Sequence, residues 1–104
     1  MKIEKILGEF KAKIKKLYGN KLKDMVLYGS WARGEATEDS DIDLLIIFKG
    51  EIVPGIEIDK MIEIITEINL KYEVLISVYP ISERDYSIVN SPLLINVKRE
   101  GASI

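Results

Sequence analysis

Two aspartates, Asp41 and Asp43, stand one residue apart at the head of the apolar run Leu44-Leu45-Ile46-Ile47. In extended chain, residues i and i+2 project to the same face, so both carboxylates point one way while Ile42 points the other. Two like charges held that close repel unless a cation lies between them. Two carboxylates completed by substrate phosphate oxygens are a common way for a protein to hold magnesium. By itself an Asp-x-Asp pair is a weak signal, more often two solvated residues at a strand start. The preceding Tyr28-Gly29-Ser30 adds to the metal reading. Gly29 allows backbone to approach a ligand closely, and amides at the start of a helical turn point outward as anion donors, with the Ser30 hydroxyl beside them. Arg33 can clamp a phosphate or simply be solvated. Gly29 to Gly34 has the spacing of a P-loop, but Glu35 and Ala36 stand where Lys and Ser or Thr are required, so a P-loop is excluded. The Gly-Ser turn therefore needs a metal on the aspartates.

Composition narrows which metal and which chemistry. The 104 residues contain no Cys and no His. That removes disulfides, thiolate nucleophiles, Cys-type zinc and the imidazole base, and any bound metal must have oxygen ligands, as hard cations such as magnesium, manganese or calcium do. Fifteen Lys and Arg against 17 Asp and Glu give a net charge of −2, so no overall basic field favours nucleic acid, and direct nucleic-acid binding is not expected. No 18-residue apolar run or leader-like segment is apparent, and the expectation is a single cytoplasmic domain over residues 1–104 with no membrane association.

The elements that must position these residues follow from hydrophobic spacing. Ile3, Ile6, Leu7, Phe10, Ile14 and Leu17 recur at three- and four-residue steps among lysines, which predicts an amphipathic helix over Lys2–Tyr18, ended at Gly19-Asn20. Leu22–Tyr28 reads as a strand, Ser30–Arg33 as a helical turn and Gly34–Asp39 as a polar loop. Asp41–Phe48 reads as a second strand, buried on both faces. After a loop over Lys49–Gly55, Ile58, Met61, Ile62, Ile65 and Ile68 mark a helix over Ile56–Leu70 whose other face carries Glu57, Asp59, Glu63 and Glu67. Glu73–Tyr79 reads as a third strand closed by Pro80. Ser82–Asp85 suggests a helix start, and Pro92–Glu100 a last helix ended by Gly101. This order describes a small α/β domain with a sheet core.

Gly29-Ser30, ten residues, then Asp41-Ile42-Asp43 resembles the G-S-x10-D-x-D signature of the nucleotidyltransferase superfamily that includes DNA polymerase beta. The fuller wording, with Ala32, Arg33, Gly34, Ser40 and Leu44, is similar to its minimal nucleotidyltransferase branch. The resemblance implies a nucleotidyltransferase fold, with a mixed β-sheet flanked by helices and the site at one edge. It implies that Gly29 and Ser30, with Arg33 and Ser40 nearby, bind the nucleotide. Asp41 and Asp43 are then the catalytic carboxylates, holding Mg²⁺, two ions in all. The family also carries a third carboxylate on the next strand. Here Glu73 and Ser77 share the appropriate parity, Glu73 is favoured as the third metal ligand, and only one of the two can lie level with the pair.

Stand-alone domains of this branch resemble antitoxins encoded beside a HEPN-domain ribonuclease toxin, and the resemblance implies transfer of AMP from ATP to a tyrosine of that toxin. The acidic helix face is a candidate surface for such a partner. Two other readings stay open. One is a nucleotidyltransferase-fold binding module that neutralises the toxin by contact. The other is transfer to a small molecule of aminoglycoside type, disfavoured because 104 residues leave little room for a second, acceptor-binding domain.

Overall fold

A computed structural model describes residues 3–104; Lys2, assigned to the first helix, lies outside the described residues. Helix α1 spans Ile3–Tyr18 and buries Ile6, Leu7, Phe10 and Ile14, with its lysines outward. A 3-10 turn, Gly19–Lys21, feeds strand β1, Leu22–Tyr28. The one-turn helix α2, Ser30–Arg33, and a polar loop lead to β2, Ile42–Phe48. Helix α3, Pro54–Tyr72, crosses back to β3, Ile76–Ser82. The chain closes with α4, Glu83–Ile88, α5, Pro92–Glu100, and a two-residue strand β4, Ala102–Ser103.

The four strands form one mixed sheet in the order β3-β2-β1-β4. β1 runs antiparallel to β2 and β4, while β3 runs parallel to β2. Helices cover both faces. On one side Leu44, Ile46 and Phe48 pack with Phe10 and Ile14 of α1 and Met61, Ile65 and Ile68 of α3. On the other, Val26, Leu45, Ile47 and Ile81 meet Leu94 and Val97 of α5. Both faces of β2 are therefore dry, as its uninterrupted apolar run predicts. Ser82 and Ser91 cap α4 and α5 by accepting from the amides of Asp85 at 3.1 Å and Leu94 at 3.2 Å.

Several expectations are corrected. α3 starts two residues early because Pro54 takes a first-turn position, where its missing N–H is harmless. β3 runs through Pro80 instead of ending there; it is an edge strand, so the absent donor can face away from the sheet. Asp41 lies just outside β2. Glu57 does not belong to the solvated acidic face. It is 3% exposed, Lys60 Nζ is its nearest cation at 3.8 Å, and its Oε1 has no hydrogen-bond partner. Asp59, Glu63 and Glu67 do face outward, with Glu67 paired to Lys13 at 3.1 Å. β4 was not anticipated; two residues are too few to show a period.

Candidate active site

Asp43 opposes Tyr28 on β1 and Ser77 on β3, which makes one row across three strands. Between the two aspartates, Ile42 is fully buried, and its N–H donates to the Leu75 carbonyl at 2.9 Å. Truncating it to Ala would cost about 2–5 kcal/mol, and with Ile42 anchored inward the alternation of β2 sets Asp43 on the opposite face. At the end of β1, Gly29 adopts φ 76° and ψ −156°, a conformation that side chains rarely tolerate. The Asp43 carboxylate oxygen Oδ2 occupies the space where a Cβ would lie. Glycine is thus needed here both for the turn and for the close approach of strand to carboxylate.

The turn then coils directly. The amides of Ala32 and Arg33 donate to the Gly29 carbonyl at 3.1 and 3.2 Å, and Gly34, in the left-handed region, ends the turn. The first amides of such a helix have no intrahelical acceptor and are open to an anion. The following loop is pinned at Ser40. Its hydroxyl accepts from the Thr37 amide at 2.9 Å and its carbonyl from Trp31 Nε1 at 3.3 Å. Ser40 therefore holds the loop that delivers Asp41 and does not line the cleft beside Asp43.

That cleft, of about 350 Å³, is bounded on one side by Tyr28, Gly29, Ser30, Arg33 and Asp43. Its other wall is Leu93, Asn96 and Glu100 of α5. The volume suits a small ligand. Burial, and then the neighbouring Asp41 charge, push the Asp43 carboxyl up from its ordinary value, while Arg33 opposes them. Burial also raises the Tyr28 phenol, helped by the charges of Asp43 and Tyr79. Arg33 Nε pairs with Glu35 at 3.2 Å and Nη1 with Glu100 at 3.4 Å, and these bonds raise its guanidinium pKa. Among the described residues, neither Asp41 nor Asp43 has an ion-pair partner. Two adjacent, unneutralised carboxylates beside a backbone cradle are a donor set that fits a hard divalent cation. Among the described residues no third acidic side chain joins them closely enough to complete a metal cluster.

The domain model for the nucleotidyltransferase domain matches residues 3–97. The chain belongs to this family. A provisionally named protein adenylyltransferase of Methanocaldococcus jannaschii, MJ0604, is 37% identical over 102 residues, covering 97% of this chain and 96% of the relative. The protein adenylyltransferase MntA of Thermococcus cleftensis is 35% identical over 63 residues, 59% of this chain and 62% of that protein. A crystal structure of a toxin-antitoxin with AMP-PNP superposes with a TM-score of 0.64 at 17% identity, over 90% of this chain and 68% of that one, which shows a shared fold. The protein is a nucleotidyltransferase with an α/β, mixed-sheet architecture.

In this nucleotidyltransferase, Gly29, Ser30, Arg33 and Asp43 line one cleft, with Asp41 next to it. Glu73 is elsewhere. It is the left-handed C-cap of α3, at φ 54°, three residues before β3 begins, so its expected place on the strand is corrected. The parallel register sets Ser77 level with Asp43. Sequence reasoning missed Leu93, Asn96 and Glu100. Their i, i+3, i+7 spacing shows that they share a stripe of α5 beside the buried Leu94 and Val97, but not what that stripe faces.

Proposed function

We propose that this nucleotidyltransferase is a Mg²⁺-dependent protein adenylyltransferase that moves AMP from ATP to a tyrosine of a HEPN-type ribonuclease toxin, acting as that toxin's cytoplasmic antitoxin. The observation that supports the proposal most directly is the Gly29 turn pressed against Asp43 with Asp41 alongside, an arrangement in which backbone amides suited to phosphate adjoin a carboxylate pair. The names of the M. jannaschii and T. cleftensis relatives support the reaction, and the AMP-PNP-bound toxin-antitoxin of the same fold supports the nucleotide and the kind of partner.

In the reaction, the tyrosine hydroxyl oxygen attacks the α-phosphorus of ATP and gives up its proton to water, the bond from that phosphorus to the oxygen bridging it to the β-phosphorus breaks, and pyrophosphate leaves. The amides at the start of α2 and the Ser30 hydroxyl hold the departing phosphates, with Arg33 adding charge. Asp41 and Asp43 would hold Mg²⁺, which supplies charge neutralisation on the phosphate oxygens. In-line displacement sets the acceptor opposite the leaving group. With the cleft on the β1 side of Asp43, the acceptor approaches over β3, where Ser77 and Tyr79 are exposed.

The proposal is tested by incubating the purified chain with α-labelled ATP, Mg²⁺ and the toxin encoded beside it, then locating the label. Label on a toxin tyrosine supports it. A second reading, contact neutralisation without turnover, is favoured by Ser77 standing level with Asp43 and by there being, among the described residues, no third carboxylate clustered with the pair. Toxin neutralised without label, and equally by an Asp41→Asn/Asp43→Asn variant, would establish it instead. Label on a small-molecule acceptor alone would reject both.

A further inference from the structure

Arg33 is the one basic side chain among the described residues lining the cleft, and it shares that cleft with Asp43. A lone guanidinium beside an unneutralised carboxylate pair should fall onto it. It does not. Among the described residues, its ion pairs are with Glu35 and Glu100, and none is with Asp41 or Asp43, although its charge is felt at Asp43. The bonds occupy Nε and one N–H on Nη1. A guanidinium has five N–H donors, so both on Nη2 and one on Nη1 remain for an anion.

The two partners are unequal. The Glu35 side chain is 65% exposed, whereas that of Glu100 is 28% exposed and therefore less screened. Glu100 also stands on a fixed base. A Cβ at Gly101 would meet Val26 Cγ1 and the Val97 carbonyl at 2.5 Å each, so only glycine lets the chain press onto β1 there. Beyond it, Ala102 and Ser103 pair with Leu27 and Val26, and the Gly101 amide donates to the Val97 carbonyl at 2.7 Å.

We propose that Glu100 is a positioning residue of the nucleotide site, holding Arg33 against α5 so that its free donors face the triphosphate and Asp43 stays available to a cation. The inference rests on the nucleotide-binding reading of the cleft. Without the Glu100 charge, Glu35 still holds Nε from outside the cleft, but the carboxylates of Asp43 and Asp41 become the strongest remaining attraction for the Nη donors within it, and Arg33 competes with the cation there.

Calorimetric titration of AMP-PNP with Mg²⁺ into wild type, Glu100→Gln, Arg33→Ala and the double variant tests this, with thermal unfolding as the check on folding. A partly exposed pair of this kind predicts roughly two- to fivefold weaker binding in Glu100→Gln. The Mg²⁺ concentration needed for half-maximal AMP-PNP binding should rise with it, a change that loss of fold alone would not produce. In the Arg33→Ala background, Glu100→Gln should have no further effect on either quantity. Should Glu100→Gln fail to fold, Glu100→Asp, which keeps the charge but shortens the reach, is titrated with the same expectation. Unchanged or tighter binding in the Glu100 variants, or additive losses in the double variant, overturns the positioning role while wild-type binding leaves the nucleotide reading intact. Failure of wild type to bind AMP-PNP overturns both.

Discussion

Gly29→Ala tests the geometry on which the candidate active site depends. Two costs are separable. The backbone there, at φ 76° and ψ −156°, is essentially restricted to glycine, and holding alanine in it costs on the order of 1–3 kcal/mol. The new methyl also lands on the Asp43 carboxylate, with Cγ at 3.3 Å, so Asp43 must turn off its rotamer at about 0.5–1.5 kcal/mol. The sum, about 1.5–4.5 kcal/mol, is a large part of the 5–15 kcal/mol typical of a domain, but leaves the variant folded. Gly34 is the internal control. It has φ 74° and ψ 18°, and nothing lies within 4 Å of its would-be Cβ, so Gly34→Ala should cost only about 1–2 kcal/mol. Urea denaturation at constant m reads both. Adding Asp43→Ala to Gly29→Ala should recover the carboxylate part and leave the backbone part. AMP-PNP binding should be lost in Gly29→Ala and kept in Gly34→Ala. If Gly29→Ala were no more costly than Gly34→Ala and still bound nucleotide, the cradle between Gly29 and Asp43 would be refuted.

Asp41→Asn and Asp43→Asn should each abolish nucleotidyl transfer while leaving the denaturation midpoint equal or higher, because each relieves carboxylate repulsion; wild-type transfer in the double variant would disprove the pair's role. Ser30→Ala should weaken AMP-PNP binding by about 1 kcal/mol, less than Gly29→Val, and calorimetry showing the reverse order would place the phosphates elsewhere. Ser77→Asp, level with Asp43, should raise the rate of labelled AMP transfer, and an unchanged rate would show that the site lacks nothing there. Glu9 carries the pH prediction. Lys71 Nζ at 2.9 Å and the Tyr72 hydroxyl at 2.8 Å bond its carboxylate, and these bonds depress its pKa. A depressed acid contributes stability above its unfolded value that is lost as pH falls through its folded one. The stability of wild type should therefore fall more steeply on the acid side than that of Glu9→Gln, and parallel pH profiles would remove Glu9 from the link between α1 and α3.

What could be read in advance follows chain distance. Gly29, Ser30, Asp41 and Asp43 lie within one strand-turn-strand unit, where alternation and glycine chemistry are local rules, and the structure brings three of them into one cleft with Asp41 adjoining. Strand alternation says which face Glu73 and Ser77 share but not which is level with Asp43. The level is set by how α3 returns the chain, and the left-handed turn at Glu73 consumes three residues before pairing begins. Pro80 looks like a stop in the sequence because its edge position depends on the strand order of the whole sheet. The α5 wall was the least legible part. Arg33 meets Glu100 across 67 residues of sequence. That meeting depends on Gly101 fitting between Val26 and Val97, a packing event with no periodic signature. The carboxylate pair is therefore marked by local residues, whereas Glu100 reaches Arg33 only because the far end of the chain docks against β1.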